Sequence, residues 1–240
     1  MSVKQYIIMF FWIMSSSLVY ANQALVINTT GKRPLNTPEQ SGFLDLVVAE
    51  AFRRSGLVLK TIQLPAERGL INANLGIDDG EMSRIAGLEK NYPNLVRVPE
   101  KIMDWEFYAF SSQNVNLSNG WQDLAGYSVA FINGWKILEN NVPASAEITK
   151  VKNPEQLFEL LIKQRSQIVI YERWAGLRYI KQSQLQSIKP LQPALAKRNM
   201  YMYLNKKHQA LVPKLAEALK AMKQDGTYDR FTTEILGPLK

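Results

Sequence analysis

The chain has no cysteine and a single histidine, His208, among its 240 residues. The first absence excludes disulfides, thiolate nucleophiles and Cys-rich zinc sites, so the fold must rest on its apolar core. It also closes the lipoprotein route, which acylates a cysteine. The scarcity of histidine excludes the HExxH zinc motif and Cys–His dyads. A Ser–His–acid triad would have to use His208, which stands beside Lys206 and Lys207 ahead of a predicted helix and is read as solvated. Low-complexity segments and short-period repeats are also missing. After the first 21 residues, no apolar stretch approaches the ~20 residues that cross a bilayer.

What is present is an ordinary globular composition, 46% hydrophobic and 21% charged, with a formal charge of +8. A basic surface is compatible with nucleic acid or acidic polymers. The basic residues are scattered, however, with only short clusters at Arg53-Arg54, Lys197-Arg198 and Lys206-Lys207. None is interleaved with aromatics as a single-strand groove would be. The charge is read as a solvated surface, and no nucleic-acid partner is expected.

Residues 1–21 read as a signal peptide. Lys4 supplies the positive start, residues 6–14 an apolar run, and Val19 and Ala21 the two small-residue positions before a cut at Asn22. An uncleaved anchor is the alternative, but the run is short for a span. The mature protein is expected to be periplasmic.

Apolar periodicity then alternates strand and helix. Residues 24–28 read as a buried strand and 43–54 as a helix with Leu44, Val47, Val48, Ala51 and Phe52 on one face. Residues 57–64 read as a strand and 65–74 as a second helix. The plan recurs with a strand at 127–132, a turn at Asn133-Gly134 and a short helix from Trp135. Asn153-Pro154-Glu155-Gln156 is a strong helix start, with Asn as cap and Pro in the first position. Residues 167–171 read as a further strand, and Val212, Leu215, Leu219 and Met222 mark a last amphipathic helix. Such alternation predicts parallel sheets with helices on their faces. Two aromatic-rich extended stretches, 102–111 and 199–204, bracket the second set. They are expected to be the two passages between lobes, leaving a cleft where a small ligand binds.

The chain resembles the bacterial extracellular solute-binding proteins of family 3. The resemblance is carried by Gly42-Phe43-Leu44-Asp45-Leu46, Glu67-Arg68-Gly69-Leu70, Asp79-Gly80-Glu81, Asp123-Leu124-Ala125-Gly126-Tyr127 and Asp225-Gly226-Thr227-Tyr228, in that order along the mature chain. It implies an α/β, two-lobed periplasmic-binding-protein-like (type II) fold, each lobe a mostly parallel sheet flanked by helices, with the ligand cleft between lobes. The expected division is residues 22–107 with 196–240 for lobe 1, and 108–195 for lobe 2. A small-molecule solute, a monomer, no cofactor, and a membrane permease or sensor receptor as partner are what the resemblance implies.

Three departures point away from an ordinary α-amino acid. The first loop, Lys32-Arg33-Pro34-Leu35-Asn36-Thr37, lacks the usual aromatic, and Gly134 is followed by Trp135 and Lys136 where the family usually has Ser or Thr. The stretch Gly80-Glu81-Met82-Ser83-Arg84 replaces an apolar strand running to a Thr and then an Arg.

By the resemblance, Arg84 follows a strand end and grips a ligand carboxylate; the alternative is an ion pair with Glu81 or Glu67. Arg68, at a helix start, either adds positive field to the site or is solvated. Gly134 presents backbone N–H groups to an anion or simply makes a turn. Glu172, just past a strand, stands near where related receptors bind a ligand ammonium; a surface role is the alternative. Trp105, Tyr108 and Trp135 either cover the ligand or pack in the core. Glu81 and Glu172 facing each other across the cleft would instead suit a lyase or dehydratase. A third alternative is a module that binds an envelope polymer or protein through its basic surface.

Overall fold

The computed structural model describes residues 23–240, so the expected leader and its cut after Ala21 lie outside the described residues. The first parallel trio is β1 (Leu25–Thr29), β2 (Leu59–Gln63) and β3 (Gly80–Ile85), with α1 (Phe43–Arg54) and α2 (Ala66–Leu75) as its connections. After a short β4 (Leu95–Arg97) comes the long β5 (Met103–Ser111). The second trio is β6 (Ser128–Ile132), β7 (Glu147–Val151) and β8 (Ile168–Glu172), connected through α3 (Lys136–Glu139) and α4 (Pro154–Ile162). The chain then forms α5 (Arg173–Gln182), a short β9 (Lys189–Pro190), the long β10 (Ala196–Asn205), α6 (Val212–Gln224) and α7 (Thr227–Phe231).

All ten strands join one curled mixed sheet, in the order β2-β1-β3-β10-β5-β8-β6-β7, with β4 on β10 and β9 on β5. The two trios are parallel within themselves, and β10 and β5 join them as antiparallel strands. These are the two extended passages anticipated at 199–204 and 102–111. The expected lobe limits stand side by side on their ladder, where Ala196 pairs with Phe107.

Helix α1 forms where its apolar stripe was read. Its Phe43, Leu44, Val47, Val48, Ala51 and Phe52 are all buried, at ~1.5–3 kcal/mol for each large side chain. Its buried first-turn Asp45 accepts hydrogen bonds from the Gly42 N–H (3.0 Å), the Thr37 N–H (2.8 Å) and the Asn36 amide (2.6 Å). That carboxylate ties the loop before α1 to the helix. Leu215, Leu219 and Met222 of α6 enter the same core, and α7 sets Tyr228 edge-on to Phe43 at 5.3 Å, so both helices pack with α1.

The second lobe buries both faces of its sheet. Phe131, Ile168 and Ile170 belong to one cluster, and Ala130, Ile132 and Val169 to another, which explains the unbroken apolar runs. The N-cap of α4 is as anticipated, with the Asn153 side chain accepting the Gln156 N–H at 2.9 Å.

Three readings change. Helix α5 was not anticipated. Arg84 lies inside β3 rather than beyond a strand end. His208 is not free in solvent: its Nε2 is 2.6 Å from Asp79 Oδ1, while Asp79 Oδ2 accepts the Val26 N–H at 2.8 Å. Folding brings together residues 129 positions apart, which local sequence could not indicate.

Candidate functional site

Parallel strands deliver side chains and helix starts to a common edge at their carboxyl ends. Thr30 follows β1, Ile132 ends β6, Lys152 follows β7 and Glu172 ends β8, and all four border the cleft between the lobes. The cleft holds two cavities. The larger, about 440 Å³, is lined by Arg84, Ser83, Leu70, Phe107 and Arg198 among others. The smaller, about 280 Å³, is lined by Lys32, Arg33, Trp135, Lys152, Tyr171 and Glu172 among others. Thr30 and Trp105 border both, so the cavities are neighbouring chambers separated by those two residues. A third hollow of about 760 Å³, between residues 111–116 and 186–192, lies away from these strand ends.

Arg84 makes the ion pair given as its alternative, and it also lines the cleft. It borders the larger chamber, and its Nε lies 3.1 Å from Glu81 Oε1 while Nη2 donates to the Ala66 carbonyl at 2.7 Å. The pair leaves Arg84 16% exposed and Glu81 fully buried. Glu81 borders neither chamber, so it sits behind Arg84 rather than facing Glu172 across the cleft. Neither Glu81 oxygen has a well-aligned hydrogen bond, and Asn28 Oδ1 is unpartnered as well. These acceptors converge on Gly69, where a Cβ would stand 2.6 Å from Asn28 Oδ1 and 2.7 Å from Glu81 Oε2. Only glycine fits there. Burial pushes the Glu81 carboxyl up to about 7, against the pull of Arg84, with Asp78 adding to the rise.

Glu172 is buried by a different route. It is the N-cap of α5, its Oε1 accepting the Trp174 N–H at 3.0 Å and its Oε2 the Ala175 N–H at 2.7 Å. Burial pushes it up to about 7 as well, although those two N–H groups favour the charged form. It borders the smaller chamber with both oxygens already engaged.

The aromatic candidates separate. Trp105 borders both chambers, and Trp135 borders the smaller one, stacked on Tyr171 at 5.2 Å with 8° between ring planes. Tyr108 is buried in the second-lobe core beneath the Arg173 guanidinium, and borders neither chamber. Gly134 makes the turn at φ +84°, but its N–H donates to Glu139 Oε1 at 3.2 Å. Arg68 is exposed on α2 outside both chambers, and Glu67 accepts from the Tyr92 hydroxyl rather than from Arg68. Thr30, Lys32, Arg33, Lys152, Tyr171 and Arg198 were not singled out. Thr30, Lys32, Arg33, Lys152 and Tyr171 lie near or after the carboxyl ends of β1, β7 and β8, and Arg198 lies near the start of β10, positions that local periodicity does not mark as a site. Among the described residues, no group of three or more histidines and acids is placed to hold a metal ion, and no helix is long and apolar enough to cross a membrane.

No protein-family model matches the chain. A curated relative, an uncharacterised protein of Shewanella oneidensis, is 28% identical over 200 residues, covering 78% of this chain and 73% of its own. Among solved structures, the ligand-binding core of GluR0 in complex with L-glutamate superposes with a TM-score of 0.75 at 14% identity, over 90% of this chain and 99% of that one. A histidine kinase sensor domain similar to periplasmic binding proteins gives 0.70 at 15% identity, over 90% and 97%. The arginine-, lysine- and histidine-binding protein ArtJ of Geobacillus stearothermophilus gives 0.66 at 14% identity, over 90% and 96%. The class of fold is thereby defined: an α/β, two-lobed periplasmic-binding-protein-like architecture.

Proposed function

We propose that this chain is a periplasmic solute receptor of the family 3 kind, which closes residues 22–107 with 196–240 against residues 108–195 around a small polar, carboxylate-bearing solute. One observation carries the reading: a chambered cleft at the carboxyl ends of both parallel trios, with Arg84 on one wall and Trp135 on the other. A guanidinium offers a planar fork for a carboxylate, and the aromatic surfaces of Trp105 and Trp135 cover the less polar part of a solute. Closure buries the solute and changes the surface offered to a membrane partner, either a permease or a sensor receptor. The likeness to amino-acid-binding proteins and to a kinase sensor domain supports both kinds of partner. The leader at residues 1–21 supports export.

Binding is favoured over turnover because, among the described residues, Glu172 is the one carboxyl bordering the chambers and both its oxygens cap α5, so the Glu81–Glu172 pair that a dehydratase or lyase would use is not assembled.

A thermal-shift screen of amino acids, polyamines, sugars and carboxylates, followed by calorimetry, tests the proposal. A true ligand at 100 times its Kd stabilises the protein by ~2.7 kcal/mol. It should be recovered intact after incubation; chemical conversion would make the protein an enzyme instead.

A further inference from the structure

The charge on the cleft walls is one-sided. Among the described residues, five cationic side chains border the two chambers, Lys32, Arg33, Lys152, Arg84 and Arg198, against the single carboxyl of Glu172. Arg84 is paired with Glu81, and Arg33 with Glu39 at 2.5 Å. Lys32, Lys152 and Arg198 make no ion pair among the described residues, and the side-chain hydrogen bond of Arg198 goes to the Lys197 carbonyl. Arg178, one helical turn beyond Ala175, which borders the smaller chamber, is half-buried and also has no acidic partner among the described residues. Burial, and then Arg33, depress its guanidinium below the ordinary range, so two like charges stand close here. Helix α4 adds its positive end, since Asn153 and Pro154 border the same chamber.

The cations also come from both walls. Lys32 follows β1 in the first lobe, and Lys152 follows β7 in the second. An anion between them would engage cations of both lobes at once. In the other chamber, Arg84 and Arg198 likewise share a wall without a bordering acid. Two cationic chambers meeting at Thr30 and Trp105 describe a site with two charged ends and an uncharged middle.

We propose that the cleft selects an elongated solute with two separated carboxylates, one held by Arg84 and Arg198, the other between Lys32 and Lys152, with its chain crossing Trp105. This rests on the solute-receptor reading and names the class of solute. Arginine supplies a two-pronged contact at one end, and the lysines supply point charges at the other. A zwitterion would leave cations unmatched at one end.

Calorimetry on the mature protein tests this with straight-chain dicarboxylates from succinate to suberate, hexanoate, inorganic phosphate, L-glutamine and L-arginine. One or two lengths of dicarboxylate should bind best, with adipate at least ~10-fold tighter than hexanoate because only the former engages both ends. Raising salt from ~50 to ~500 mM should weaken the dicarboxylate more than the monocarboxylate. Lys152→Ala and Arg198→Ala, both at exposed positions, should each cost at least ~10-fold for the dicarboxylate and leave the unliganded Tm unchanged. Tighter binding of L-glutamine or L-arginine, with both variants within ~2-fold of wild type, overturns the inference and leaves the receptor reading standing. Phosphate binding equal to that of the best dicarboxylate overturns the two-ended site, and no binding by any compound in this panel or the wider screen overturns both readings.

Discussion

Glu81 in the first lobe and Glu172 in the second are both buried carboxyls pushed up to about 7, yet they are held by opposite means. Glu81 has a cation 3.1 Å away and no well-aligned hydrogen bond. Glu172 has two well-aligned backbone donors, and the cation of its neighbour Arg173 is bound instead to Glu106 at 2.6 Å. A Coulombic partner tolerates changes of geometry; a helix cap does not. The first arrangement leaves Arg84 on the wall of the larger chamber, with Glu81 behind it. The second makes Glu172 part of the scaffold that shapes the smaller chamber.

The largest effect that sharpens this contrast is at Arg84. Arg84→Ala should weaken a carboxylate ligand by ~2–5 kcal/mol, because a buried anion loses its charged partner, and Arg84→Lys should recover only part of it. The alanine variant should also melt earlier, since the Ala66 carbonyl loses its donor. Unchanged affinity by calorimetry would confine Arg84 to its structural pairing.

The pH dependence comes next. A carboxyl raised from an ordinary 4.5 to about 7 contributes stability that is fully present below 4.5 and lost as pH rises through 7. Each of the two should cost on the order of 3 kcal/mol across that window. Glu50, Glu139 and Asp225, held down to about 2 by their basic neighbours, act with the opposite sign at lower pH. Stability should therefore peak near pH 4.5–5, and Glu81→Gln should remove one of the two losses above it. A denaturant midpoint rising steadily from pH 5 to 8 contradicts both shifts.

At Glu172, Glu172→Gln should lower stability by ~1 kcal/mol, because an amide accepts only one of the two helix N–H groups. That corresponds to ~2–4 °C in Tm for a chain of this size. A variant with wild-type Tm but weakened binding would return Glu172 to the role of a ligand group. The smallest effect is at Gly134, where a side chain at φ +84° should cost ~1 kcal/mol in Gly134→Ala and leave ligand affinity untouched.

What was legible in the sequence followed from short-range physics. Helix α1 spans the residues its apolar stripe marked, and α4 starts at the Asn153-Pro154 signal, because stripe and cap act within a turn or two. The aromatic stretches became β5 and β10 because long extended runs need partners and found each other. Helix α5 escaped because its buried residues are only Trp174 and Gly176, too few for a stripe, and its cap is a glutamate, an unusual residue there.

The candidate site divides in the same way. Arg84, Trp105 and Trp135 were nominated from sequence and border the cleft, whereas Tyr108 turns into the core and the Gly134 N–H turns to Glu139. On a strand, one residue of register decides which face a side chain takes, and register belongs to the whole sheet. The sequence specified the alternation of strands and helices, the caps and the core stripes, since those interactions span a few residues. The tertiary structure alone decided that Lys32 and Lys152, 120 positions apart, would border one chamber. Strand order sets which ends meet, and it results from burying both trios at once.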